Sequence, residues 1–218
     1  MSSDSKTIVD VYWSFRSPYS YLLTPDLLKL RDDFDVDVKL RPVLPIALRA
    51  KQTLFDDVDG QKKIHYILLD VARRAEFLGM TISFPSPDPI VQDLETFKVA
   101  DDQPYIYRLT ALGVEAERRG KGIDLAHAIS HLIWGGTPNW DQGDLLASAV
   151  ASAGLDLTDL EEAITDYDAM AVVEDNQAAL EAAGHWGVPT MVVNNEPFFG
   201  QDRIETLRWR LQKLGLRK

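Results

Sequence analysis

Residues 7–22 read "TIVDVYWSFRSPYSYL". The first part, Thr7 to Trp13, is short, β-branched and aromatic, and it predicts a strand because such side chains pack well on a pleated surface. The period then changes. From Pro18 to about Asp33, the residues Tyr21, Leu22, Leu27, Leu28 and Leu30 recur at roughly helical spacing. Between the two lies Ser17-Pro18: a serine that can cap a helix, and a proline at the first helical position, where no N–H is needed. Residues 36–44, "VDVKLRPVL", alternate apolar and polar and predict a second strand. Two strands joined by one helix predict a parallel βαβ unit.

Beyond this unit the chain turns helical. Residues from about 46 to 80 include the amphipathic run "KKIHYILLDVARRAEFLGM", ending near Gly79. The three prolines of "FPSPDP" (84–89) predict a loop. Helices are predicted over 104–119, 122–134, 141–153, 158–165 and 168–184, with "WGGTPNW" (134–140) punctuating them. The end returns to β structure. "TMVVN" (190–194) is a strand, Asn194-Asn195-Glu196 a turn, "PFF" a short strand, and "GQDRIETLRWRLQKL" a closing helix. This order, β-α-β, a helical block, then β-β-α, fits one sheet interrupted by a helical insertion. The expected division is a polar tail at 1–6, a discontinuous sheet-bearing domain from 7–45 and 185–218, and an insertion domain over 46–184.

The bulk composition narrows the function. The 218 residues carry 34 acidic against 23 basic side chains, a net charge of −11. A field of that sign disfavours nucleic acid and anionic membrane as partners, while leaving room for a local pocket that takes a small anion. The chain has no cysteine, which removes disulfides, thiolate metal sites and a cysteine nucleophile. The start, "MSSDSK", lacks the apolar core of a signal peptide, and no apolar run approaches ~18 residues, so the expectation is a soluble cytoplasmic protein. His127 and His131 stand four apart on one helix face, as metal ligands can. No glutamate follows His127 and no third ligand is evident, so packing or capping explains the pair better and no metal is expected.

Three stretches carry a family resemblance: "SPYSYL" (17–22), "GHWGVPTMVVNNEPFFGQDR" (184–203) and, more loosely, "IWGGTPNWD" (133–141). With the β-α-β start and the helical middle, they resemble the DsbA-like thioredoxin superfamily. More closely, they are similar to the branch that holds 2-hydroxychromene-2-carboxylate isomerases and kappa-class glutathione transferases. The resemblance spans about residue 7 to 215. It implies an α/β, thioredoxin-like fold with a large all-helical insertion, glutathione as cofactor, a small aromatic or unsaturated carbonyl substrate, and a homodimer.

The resemblance also assigns residues. In thioredoxin-like oxidoreductases the catalytic thiolate sits at the start of the first helix, where aligned amides favour an anion. Here that place is held by Ser17, which implies that glutathione brings the thiol and that the Ser17 hydroxyl stabilises its thiolate; the same residue also caps the helix. The start of the last helix implies a site for the γ-glutamyl end. Backbone N–H groups, with Gln201 acting mainly through its own, take the carboxylate, and Asp202 takes the ammonium. Arg203 either assists or forms a structural pair. Val188 bonds the cysteinyl backbone as an added strand would. Pro189 stands at a strand entrance, where it costs no ladder bond. A cis Val188–Pro189 bond would leave backbone groups free for an extended ligand.

The segment "LPIALRAKQT" (44–53) departs from the pattern. Many family members carry a glycine and an asparagine here, and this chain has neither between Ser17 and Gly60. Arg49, Lys51 and Gln52 are available substitutes, with Lys51 placed to meet the glycyl carboxylate; a solvated charged face is the equal alternative. Phe15, Trp134, Trp140 and His185 are candidates for the substrate pocket, although aromatic residues of this kind are more often core.

The activity implied is glutathione-dependent isomerisation. The thiolate adds to the unsaturated substrate, the ring C–O bond opens, a carbon–carbon bond rotates, and elimination returns the thiolate. A kappa-like transferase or peroxidase, which consumes glutathione, is the alternative. A thioredoxin-fold binding module without redox activity is a third reading. Dithiol oxidoreduction is excluded because the chain has no cysteine.

Overall fold

The structure, a computed structural model, describes residues 6–49, 60–93 and 98–218. Strand β1 spans Thr7–Trp13, helix α1 Pro18–Asp33 and strand β2 Val36–Pro42. The two strands pair in parallel, with Thr7 opposite Val36 and Trp13 opposite Pro42. Along β2 the alternation is regular. Val36, Val38 and Leu40 are buried while Asp37, Lys39 and Arg41 are half-exposed, the period of 2 that a one-faced strand requires. The ladder ends sooner than the sequence pattern suggests. Pro42 has no N–H; Val43 still donates to the Trp13 carbonyl at 2.8 Å, but the Leu44 amide leaves the sheet for Gln177 Oε1 at 3.2 Å.

Helix α1 runs through Pro25 without breaking. A proline there removes the amide that would reach the Tyr21 carbonyl. The Thr24 hydroxyl donates to that carbonyl instead, at 2.8 Å, so the acceptor stays satisfied inside the core.

The helical block consists of α2 (Ile46–Arg49), α3 (Gly60–Leu78), α4 (Ile106–Arg118), α5 (Gly122–Trp134), α6 (Leu145–Ser152), α7 (Leu157–Ala163) and α8 (Ala169–Ala182). Helix α6 begins four residues later than its apolar pattern suggests, because Gly143 takes φ +57 and cannot sit in a right-handed helix. Strand β3 (Thr190–Val193) then pairs antiparallel with β1, and β4 (Glu196–Phe199) antiparallel with β3, giving the order β2-β1-β3-β4. Asn194 and Asn195 join them at φ 50 and 62, the two positive values a tight type I′ hairpin demands. The closing helix is divided: a 3-10 turn over Gln201–Arg203 precedes α9 (Ile204–Lys213).

The core lies mainly on one face of the sheet. Val9, Val11, Trp13, Leu40, Met191 and Phe198 pack there with Leu22, Leu27 and Leu30 of α1, with Ile129 of α5 and with Leu207 of α9. The opposite face is thinner, with Tyr12, Val43 and Val192 against Leu180 of α8. Among the described residues, no helix is long and apolar enough to cross a membrane.

Candidate active site

Ser17 caps α1. Its backbone is extended (φ −92, ψ 116) and its Oγ accepts the Ser20 N–H at 3.2 Å. Pro18 contributes no N–H, and the Tyr21 amide goes to the Ser17 carbonyl at 3.1 Å. That leaves Tyr19 as the first-turn amide with no acceptor inside the helix. The Ser17 hydroxyl also faces the carbonyl of Val188 at 3.5 Å, the outer edge of hydrogen-bonding distance. The Val188–Pro189 peptide is cis, the Pro189 carbonyl accepts the Gly200 N–H at 2.9 Å, and Thr190 donates its hydroxyl to the Gly187 carbonyl at 2.7 Å. The structure thus brings Ser17, Val188, Pro189 and the 200–203 turn to one end of the sheet.

Two polar links hold the start of α1 in place. Arg16 makes a two-pronged pair with Asp88, 3.0 and 2.9 Å, which ties the proline-rich loop to the residue before Ser17. Tyr19 donates to Asp70 of α3 at 2.8 Å. Burial first, and the Asp70 carboxylate second, push the Tyr19 phenol above its ordinary value, so it remains a donor at neutral pH.

The aromatic candidates divide. Phe15, Trp134 and Trp140 belong to the core, not to an open pocket wall; Phe15 and Trp140 are each only 1% exposed. Trp134 Nε1 donates to the Phe15 carbonyl at 3.0 Å, and Trp140 Nε1 to the Pro87 carbonyl at 2.7 Å, so both indoles brace backbone beside the site. His185 is half-buried and stacks between two neighbours: Phe199 at 3.9 Å and Trp186 at 5.5 Å. Its Nδ1 accepts the Gly187 N–H at 2.9 Å, and burial lowers its pKa. A side chain on Gly187 would put its Cβ 2.5 Å from the Phe199 ring, so the stack requires glycine there.

The last-helix candidates sit as follows. Asp202 and Arg203 are exposed and pair with each other at 3.3 Å. Gln201 is buried, and its side chain accepts from Arg74 of α3. Gly200 takes φ +106, and a Cβ there would lie 2.7 Å from Asp202 Oδ1. Arg49 faces inward: Nε donates to the Leu44 carbonyl at 2.7 Å and a terminal nitrogen to the Trp186 carbonyl at 2.9 Å. It is a brace for the segment before Val188. Lys51 and Gln52 lie outside the described residues. His131 Nδ1 lies 2.9 Å from the His127 carbonyl and its ring packs edge-on to Tyr21, which accounts for that histidine by packing. The sequence reading missed Arg16, Asp70 and Arg74, whose partners are 72, 51 and 127 residues away.

The sheet order, the parallel first pair, the antiparallel hairpin and the helical block between them define a thioredoxin-like protein with a helical insertion. Residues 8–212 match the family model described as a DSBA-like thioredoxin domain, and the chain belongs to that family. It is similar to a 2-hydroxychromene-2-carboxylate isomerase from Pseudomonas putida, 23% identical over 210 residues that cover 95% of each chain. A second relative of that name, from Sphingobium xenophagum, is 26% identical over 206 residues, covering 93% of this chain and 96% of the other. A solved structure of a 2-hydroxychromene-2-carboxylate isomerase superposes with a TM-score of 0.69 at 23% identity, covering 95% of both chains, and shares the fold.

Proposed function

We propose that this protein is a glutathione-dependent isomerase acting on a small unsaturated carbonyl compound of the 2-hydroxychromene-2-carboxylate type. One observation carries the reading. The helix start that suits a thiolate holds Ser17, whose hydroxyl faces the Val188–Pro189 segment, in a chain that has no thiol of its own. The names of the similar proteins support the reaction class.

Each part of the cofactor has a residue proposed for it. Ser17 Oγ and the Tyr19 amide would hold the sulfur, Val188 the cysteinyl backbone, and Gln201 and Asp202 the γ-glutamyl end, with Arg203 balancing Asp202. Lys51 is the residue proposed for the glycyl carboxylate. When bound, glutathione supplies a nucleophile that adds reversibly to a conjugated carbon. Ser17 acts on the thiol pKa. Lowering it from ~8.5 by two units corresponds to ~2.7 kcal/mol of preferential anion stabilisation, within reach of one hydroxyl and a helix terminus. Pro18 supports this by fixing the first turn, and the Arg16–Asp88 pair by holding Ser17 against sliding along the sheet end.

The test is turnover of 2-hydroxychromene-2-carboxylate with and without glutathione, following both the product and the free thiol. Isomerisation that needs glutathione and leaves its concentration unchanged supports the reading. Consumption of glutathione would make the protein a transferase or peroxidase, and an absence of glutathione binding by calorimetry would make it a binding module.

A further inference from the structure

Helix α3 reaches the last-helix turn through the side chain of Arg74. Arg74 lies between Val71 and Ala75, the buried residues that seat α3 on the core. Its Nε and a terminal nitrogen both donate to Oε1 of Gln201, at 3.0 and 2.8 Å. Gln201 is 2% exposed and its Nε2 has no partner, so Arg74 supplies the side-chain bonds that hold it. On the other side, Gly200 at φ +106 lets the Asp202 carboxylate fold back close to the turn. Helix α9 does not depend on this contact, because Ile204, Leu207 and Leu211 bury it independently. The Arg74–Gln201 contact therefore restrains the turn and not the helix that follows.

We infer that Arg74 is a positioning residue for cofactor binding: by gripping Gln201 it orients the 200–203 turn, whose amides and Asp202 carboxylate receive the γ-glutamyl group. This rests on the glutathione reading above. Arg74 touches Gln201 and not the reacting atoms, so its loss acts on cofactor affinity and not on the chemical step. The contact also joins the insertion to the cofactor site, since Tyr19, two residues after Ser17, is held by Asp70 one helical turn earlier on α3.

Calorimetric titration of the full chain with reduced glutathione tests this, alongside kcat and KM for glutathione. Arg74→Met is expected to raise Kd and KM about tenfold with kcat unchanged, and Arg74→Lys, which keeps the charge but loses the paired donors, is expected to fall between. A wild-type Kd in Arg74→Met overturns the inference, as does a loss confined to kcat. If Arg74→Met does not fold, Arg74→Lys decides alone: at least a threefold rise in Kd supports the role, and a wild-type Kd overturns it. Wild-type protein that gives no heat with glutathione overturns the cofactor reading and this inference together; binding by wild type with equal binding by the variant overturns only the role of Arg74.

Discussion

The hydroxyl of Ser17 and the carbonyl of Val188 are 171 residues apart in the chain and 3.5 Å apart in space. The contact joins the two halves of the thioredoxin-like sheet at the point where the first helix begins. The same hydroxyl caps the helix by accepting the Ser20 N–H, so Ser17→Ala has two expected consequences. Loss of the cap costs about 1 kcal/mol, which for a chain of this size lowers Tm by roughly 2–4 °C. On the proposed glutathione reading, turnover with glutathione is expected to fall by at least tenfold, because the remaining amides would stabilise a thiolate less well. Thermal denaturation and an initial-rate assay read the two effects separately, and full turnover with a lowered Tm leaves Ser17 as a cap only.

Trp134 braces the segment that delivers Ser17. Replacing it with Phe keeps most of the packing but leaves the Phe15 carbonyl buried without its indole donor. A destabilisation of about 1–2 kcal/mol is expected. Urea unfolding checks it through a lower midpoint at unchanged m.

Arg49→Met removes donors from two carbonyls, those of Leu44 and Trp186. The second lies two residues before Val188, so the loss loosens the segment that faces Ser17. Stability is expected to fall by about 2 kcal/mol, and hydrogen exchange in residues 185–189 to quicken relative to the β1–β2 ladder. Unchanged exchange there would show that the segment is held without Arg49, by the aromatic stack and the hydrogen bonds of Gly187 and Pro189.

Acid sensitivity is expected from His127. Burial, and then the neighbouring His131, lower its pKa from 6.5 to about 4 in the folded chain. Between those values the unfolded state binds the proton and the folded state does not, so stability is full above pH 6.5 and declines as pH falls towards 4. The upper bound for this one group is roughly 3 kcal/mol. Equilibrium unfolding at pH 7 and pH 4.5 should show the decline in the wild type and a smaller one in His127→Asn; equal slopes would place the sensitivity elsewhere.

Much of the framework can be read from the chain. Thr7–Trp13 and Pro18–Asp33 coincide with their predicted spans, because a β-branched, aromatic run and a Ser-Pro cap are local signals. The Asn194-Asn195 hairpin is equally local, since both residues tolerate positive φ. The end of β2 and the 3-10 start of the closing helix are less legible: at the first the Leu44 amide goes to Gln177, and the second follows Gly200 at φ +106.

The sequence by itself determined the order of elements, the absence of any thiol and the serine at the first helix start, all properties of neighbouring residues or of composition. Only the tertiary structure decided which side chains pack in the core and which meet around the first helix start. Phe15, Trp134 and Trp140 went to the core because burying their apolar surface outweighs leaving it on a pocket wall. Arg16, Arg49 and Arg74 became braces because carbonyl and carboxylate partners far along the chain arrive within reach only when the sheet and the insertion close together.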